Sequence, residues 1–432
     1  MQFLLLIFSL LALLLTGCNS GETAVQLTTP SFSNTEEPTP LLIPTTRPVT
    51  VEAPLTTLVI WLPEILAPVA DETILELFNT QIQDFVASET NLQVEVRRKR
   101  SQDVGGILST LRSASAVAPG ALPDLTLMRR EDLLAAVQSN LIQPLEGRIT
   151  TGVISGLTAH SIELGSLNQE LYGMPYMLDV LLVAYQPNAA SDLTVRWSFE
   201  TILKNRLTFV FPAGRSNGVN EVFLLQYLAA GGTPPLDGTM ALNEQALQTT
   251  LTFYEQAREV GLIDATLLDY TTFTDYEEQL ISGTLDTGVV RASTYFRLKA
   301  ADYPLQVAFI PTASGQPVTQ INGWMWVIVT GDSDRQLPAG RLINWLMDAS
   351  RQEQYARRIG MLPSQLEALR NSSFAGLESE ILIELLQNAY IPILENDSGT
   401  VLRIIQNALA SVLRGDTTAA EATRDAVNQL SG

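Results

Sequence analysis

The chain has 432 residues, with 46 acidic against 26 basic side chains and a formal charge of −20. So acidic a chain excludes nucleic acid and anionic membrane surfaces as natural partners. One cysteine, Cys18, and one histidine, His160, exclude internal disulfides, thiolate clusters and zinc sites built from several His or Cys ligands.

Residues Phe3 to Leu15 are apolar except for Ser9, the length of a signal-peptide hydrophobic region. A membrane-spanning helix needs about 20 such residues. Leu15-Thr16-Gly17-Cys18 follows at once and resembles the lipobox of bacterial lipoproteins. That resemblance implies a signal peptide over residues 1–17, removed before Cys18, and a lipid on the Cys18 thiol. Residues 18–54 are rich in Thr, Pro, Ser and Glu, with Pro38, Pro40, Pro44, Pro48 and Pro54 spread through them. Such a segment buries too little apolar surface to offset its ordering entropy and is expected to be a disordered tether. About 380 residues remain, suited to two lobes rather than one core.

Leu58-Val59-Ile60-Trp61-Leu62, ended by Pro63, predicts a buried strand. Ile74, Phe78, Ile82 and Phe85 recur at helical spacing. Leu92, Val94 and Val96 alternate with Gln93 and Glu95, a strand pattern, and Arg97-Arg98-Lys99-Arg100 reads as its solvated end. A helix from Ile107 to about Val117, a strand over Asp124–Met128 and a helix opened by Glu131-Asp132 complete a β-α-β-α-β order. Such alternation predicts a parallel sheet with ligands bound beyond the strands' carboxyl ends, where Trp61, Arg129 and Arg130 fall.

Ala121-Leu122-Pro123-Asp124-Leu125 and then Leu171-Tyr172-Gly173-Met174-Pro175-Tyr176 resemble segments of the family 1, maltose-binding-like extracellular solute-binding proteins. Asn322-Gly323-Trp324 and Met361-Leu362-Pro363-Ser364 match that family's later landmarks in order and spacing, over about residues 55–432. The resemblance implies an α/β chain of the type II periplasmic-binding-protein fold. Two α/β lobes are then joined by a multi-strand hinge, with a ligand cleft between them. Residues 55–177 and 321–369 are assigned to the N-terminal lobe, and 178–320 and 370–432 to the C-terminal lobe. Tyr172–Tyr185 and Ile321–Val329 are the implied crossings.

Within the second lobe, Trp197-Ser198-Phe199-Glu200 opens a helix, Leu207–Phe211 is a strand, and Val222–Ala230 is a helix closed by Gly231-Gly232. Asn243 caps a helix running to about Val260, Thr274–Ile281 is helical, and Thr287–Val290 returns as a strand. Arg341–Met347, Glu378–Leu413 and Thr418–Leu430 carry further helices.

Small polar solutes are held by flat aromatic faces and a few orienting polar groups. The aromatic candidates are Trp61, Tyr172, Tyr176 and Trp324, with Trp326 on the same strand face as Trp324. Arg129, Arg130 and Arg291 are candidates for gripping a carboxylate, phosphate or hydroxyl pair, each with a local ion pair as the plainer alternative. Asp179, Ser293 and Asn217 complete the set, with Asn220 in the same loop as Asn217.

No Gly-x-x-x-x-Gly-Lys phosphate loop is present, and a Ser-His-Asp triad would have to use His160, the one histidine, so no enzyme activity and no cofactor is expected. The reading is an extracytoplasmic monomer, lipid-anchored at Cys18, that captures a small solute, a sugar or oligosaccharide, and delivers it to the permease of an ATP-driven (ABC) importer. A receptor reporting its ligand to a sensor and a lipid-anchored carbohydrate hydrolase are the alternatives.

Overall fold

The computed structural model describes residues 55–215, 219–233, 242–371, 377–391 and 399–431. The chain enters through β1 (Thr56–Pro63), α1 (Glu72–Ser88), β2 (Leu92–Lys99), α2 (Ile107–Val117), β3 (Leu125–Met128) and α3 (Arg130–Gln138). Both β2 and β3 pair with β1 in parallel, as strand–helix alternation requires. The basic run lies largely inside β2, where Arg97 pairs with Glu95 and Arg98 with Glu72. Asp124, buried at the start of β3, accepts from the Val59 amide at 2.7 Å and from Arg335 Nε at 2.6 Å. That carboxylate ties β1 and β3 to a helix more than 200 residues later.

Short helices α4 (Thr151–Ser155) and α5 (Ala159–Leu164) and the hairpin of β4 (Ser166–Leu167) and β5 (Glu170–Leu171) lead into β6 (Met174–Tyr185), buried along its whole length. The second half follows with α6 (Phe199–Asn205), β7 (Phe209–Val210), α7 (Glu221–Ala229), α8 (Glu244–Glu259), α9 (Glu277–Ile281), β8 (Thr287–Arg291), α10 (Ala292–Ala300) and β9 (Gln306–Ala308). Ser198 begins α6 with a reciprocal capping box to Thr201. After β10 (Thr319–Ile328) come α11 (Ser333–Leu346), α12 (Ala349–Ile359), β11 (Leu362–Pro363), α13 (Leu366–Asn371), α14 (Leu377–Gln387), β12 (Ala389–Tyr390), α15 (Gly399–Arg414) and α16 (Ala419–Ser431).

One sheet runs through both halves in the order β2-β1-β3-β10-β6-β8-β7. Its continuity rests on two strands. The first part of β6 pairs with β10, while Leu181–Tyr185 pair with β8, and β10 also pairs with β3. On one face of this sheet the apolar packing is unbroken: Trp61, Leu111 and Met128 belong to the same cluster as Leu178, Val180, Ile321, Val290 and Phe309. On the opposite face it is split. Met174, Tyr176, Trp324 and Trp326 pack in the first half with α1, α11 and α12, whereas Leu181, Val183 and Val318 pack in the second with α7, α8 and α15. Between those clusters the same face carries Asp179 on β6 and Gln320 and Asn322 on β10. Polar residues cannot fill an apolar core, so on this face the apolar packing of the two halves is divided there.

Three segments differ from the sequence reading. A helix, α10, starts directly after Arg291, where only a strand end was expected, and α11 begins at Ser333 rather than Arg341. Within the Glu378–Leu413 segment, α15 packs on α8 of the second half, but α14 lies against α5, α13 and β10. Its Glu378 accepts from Tyr295 Oη of α10 at 2.6 Å, so α14 spans the crossing strands.

Gly323 sits where β10 crosses. A Cβ at this position would lie 2.4 Å from the Met177 carbonyl oxygen, a backbone atom of β6 that cannot swing aside. Gly323→Ala is expected to lower stability by about 1–3 kcal/mol through this overpacking, measured by urea unfolding. Unchanged stability would show that the two crossing strands tolerate displacement.

Candidate functional site

The carboxyl ends of the strands from both halves converge on the crossing strands. In the first half, β3 ends beside Met325 of β10, and Arg129 follows as the residue preceding α3. In the second, Arg291 closes β8 opposite Leu181 of β6 and directly precedes α10. Each half thus presents a strand, then an arginine, then a nine-residue helix whose positive end faces the same arginine.

The Arg129 guanidinium lies 5.7 Å from the centre of the Trp324 ring, pairs with Glu131 at 2.9 Å and meets the side-chain oxygen of Gln102. Trp324 is 6% exposed and closes the apolar cluster beneath it. Two residues along β10, Asn322 stands in register with Asp179. Asp179, 8% exposed, accepts from Ser293 Oγ at 2.6 Å and from the Ser293 and Val180 amides at 3.1 Å each. Burial raises the Asp179 carboxyl above its ordinary range, an effect offset in part by the nearby charge of Arg291 and by those donors. Arg291 donates to Glu221 at 3.0 Å, and Arg215 approaches the same carboxylate at 3.8 Å. Arg129, Trp324, Asp179, Arg291 and Ser293 are therefore brought into one connected arrangement. Gln102, Glu221 and Asn322 join it without having been singled out in the sequence.

Other candidates lie elsewhere. Tyr176 is a core residue: the register steps from Met177 to Pro175 on β6 against consecutive residues of β10, leaving Tyr176 as the extra residue of a bulge. Its ring packs on Trp326 and Tyr355, and it is fully buried. Trp326 joins the same cluster, stacked with Phe78. Tyr172 donates to Glu170 at 2.6 Å on its own hairpin. Arg130 donates to the backbone carbonyls of Glu163, Leu164 and Ser166 at 2.7–3.1 Å and so braces the end of α5. Trp61, 2% exposed, packs among the residues under α2, with the Lys99 ammonium 4.6 Å over its ring. Asn220 caps α7 through its side chain. Asn217 and Cys18 lie outside the described residues.

A family model for bacterial extracellular solute-binding proteins matches residues 80–376, more than half of the chain. The chain belongs to that family. Solved structures similar to this solute-binding protein share its fold at low identity. A cyclo/maltodextrin-binding protein complexed with maltotetraose has a TM-score of 0.67 and 17% identity, covering 88% of this chain and 98% of its own. The cyclic alpha-maltosyl-1,6-maltose binding protein from Arthrobacter globiformis has a TM-score of 0.66 and 16% identity, covering 87% and 99%. The maltose-binding periplasmic protein from Listeria monocytogenes in complex with maltose has a TM-score of 0.66 and 16% identity, covering 86% and 96%. No curated protein matches in sequence. Relatives at this distance establish the two-lobed periplasmic-binding fold. Among the described residues of the solute-binding protein, no helix is long and apolar enough to cross a membrane.

The raised Asp179 carboxyl has a consequence for stability. A carboxyl raised in the folded state destabilises the fold wherever it must ionise, and that cost is lost as pH falls through the folded value towards the unfolded 3.8. Asp179→Asn can still accept from both amides and can donate to Ser293 Oγ, without a charge. Calorimetry of the variant should show a raised midpoint at pH 8, with the advantage shrinking towards pH 4. A difference that is constant with pH would contradict this assignment.

Proposed function

We propose that this chain captures a small carbohydrate in the gap between its halves, by closure about β6 and β10, and hands it to the permease of an ATP-driven importer. The observation that carries this reading is the asymmetry of the sheet's two faces. Apolar packing is continuous across the crossing strands on one side, while on the other it is interrupted at Asp179, Gln320 and Asn322. Such an arrangement permits hinge motion on the split side without exposing a core on the other.

Arg129 with Trp324 from the first half, and Arg291 with Ser293 from the second, are the groups proposed to touch the solute, with Asp179 setting Ser293 and the floor between them. Trp61, buried under α2, is proposed to steady Lys99 at the rim. Closure follows if the solute binds both walls better when they meet, which is population shift. The maltose, maltotetraose and cyclic maltosyl-maltose named for the similar structures support a saccharide as solute.

The proposed lobes are residues 55–177 with 321–369 and residues 178–320 with 370–432, α14 lying across the junction. The apolar run Phe3–Leu15 followed by Leu15-Thr16-Gly17-Cys18 supports export, cleavage and a lipid anchor on Cys18, with residues 18–54 as the tether. The proposal is binding and release of an unaltered solute by a monomer.

A thermal-shift screen of the whole chain in detergent, against neutral and acidic sugars and oligosaccharides, tests this. A solute at 100 times its dissociation constant should stabilise the protein by about 2.7 kcal/mol and be recovered unchanged. Absence of any shift across the saccharides would overturn the carbohydrate reading, and cleavage of the solute would overturn simple capture.

A further inference from the structure

The buried polar atoms left without a protein partner at the strand ends are nearly all donors. Those that face the gap are Arg129 Nε and Arg291 Nη1, whereas Trp61 Nε1 and Arg130 Nε lie on the opposite face, under α2 and against α5. Three carboxylates there are engaged already. Asp179 is taken by Ser293 and Val180, Glu221 by Arg291 and Arg215, and Glu131 by Arg129. Among the described residues, no carboxylate oxygen is buried and unpaired.

A neutral sugar presents hydroxyls, each bringing a hydrogen that wants an acceptor as well as an oxygen that can take a donor. Protein carboxylates are the natural recipients of those hydrogens, and here Asp179, Glu221 and Glu131 are committed to guanidiniums and a serine. What the two paired guanidiniums still leave open is one buried N–H each, Arg129 Nε and Arg291 Nη1. The matching solute is one with more acceptors than donors, and a carboxylate supplies acceptors only. Buried donors left unmatched carry a desolvation cost, so a solute lacking the anion would leave that cost in place.

The two arginines are also placed for a shared task. Trp324, under Arg129, is in register with Met177, and Arg291 with Leu181, a separation of four residues or about 13 Å along β6. Arg129 and Arg291 come from opposite halves, and behind each starts a helix whose positive end adds to the attraction for an anion. We propose that the captured saccharide is a sugar acid, its carboxylate gripped by Arg291 and Arg129 from the two walls. This deepens, and rests on, the carbohydrate-capture reading above.

The test is calorimetric titration of the whole chain in detergent with trigalacturonate, neutral galactotriose, maltotriose and glucose 6-phosphate. The uronate is expected to bind, with the neutral trisaccharides weaker by about tenfold to a hundredfold. Arg291→Gln and Arg129→Gln should each weaken uronate by a similar factor and weaken the neutral trisaccharides less. Arg291→Lys keeps the charge and loses the two-point contact, so it should fall between Arg291→Gln and the wild type, and it guards against a variant that fails to fold. A neutral trisaccharide that binds as tightly as the uronate, and equally well to the arginine variants, would overturn the sugar-acid assignment and leave carbohydrate capture standing. Glucose 6-phosphate binding in place of uronate would overturn the carboxylate. Silence to all four would overturn both readings together.

Discussion

The structure depends on two antiparallel strands that serve both halves at once. β6 and β10 must bury side chains on both faces of the sheet, hold the ladder to β3 on one side and to β8 on the other, and still admit polar groups where the halves meet. The conflict is resolved by position. Leu178, Val180, Leu182 and Ile321 face the continuous apolar packing, and Asp179 and Asn322 occupy the opposite face at the gap. Asp179 remains soluble in that buried place because three donors converge on it and Arg291 supplies a neighbouring positive charge. Gly323 allows the two backbones to approach at the same level.

From that constraint the arginine arrangement follows. Strands of both halves run towards the crossing with their carboxyl ends, so the residue that ends or follows the strand is delivered to the gap. Arg129 and Arg291 hold equivalent places in this sense, although their surroundings differ: one lies over an indole and the other on a carboxylate shared with Arg215. In a chain of net charge −20, guanidiniums concentrated at this junction stand out against the overall field.

Much of the first half is legible in the sequence because its apolar residues keep strict periods. The stripe Ile74, Phe78, Ile82, Phe85 is the buried face of α1, and the alternation from Leu92 is β2. The shared face of Trp324 and Trp326 also follows from a period of two, and both pack in one cluster. Helix α12 escaped because it is mostly polar, with Gln352, Tyr355 and Ala356 as its buried residues, too few to form a stripe. Tyr176 was a candidate from its place at a lobe edge, which carries no record of the bulge that leaves its ring packed on Trp326 and Tyr355. Arg291 and Ser293 could be named from their place at a strand end. Their partners could not: Glu221 lies 70 residues before Arg291 and Asp179 lies 114 before Ser293, separations that no local pattern encodes. Trp61 looked like a groove aromatic from its strand-end position, yet the face it occupies belongs to the packing under α2.

The central claim is that the halves move about β6 and β10 to enclose a solute. The most direct test places spin labels on exposed positions of the two halves, Val104→Cys and Thr274→Cys, in a chain carrying Cys18→Ser. Pulsed electron–electron resonance then gives the distance distribution with and without saturating trigalacturonate and, in parallel, maltotriose. The account predicts a single shift to shorter distance with whichever saccharide binds, abolished when that saccharide is removed. A saccharide shown to bind that leaves the distribution unchanged would contradict it, because the gap would then be a fixed pocket and not a hinge.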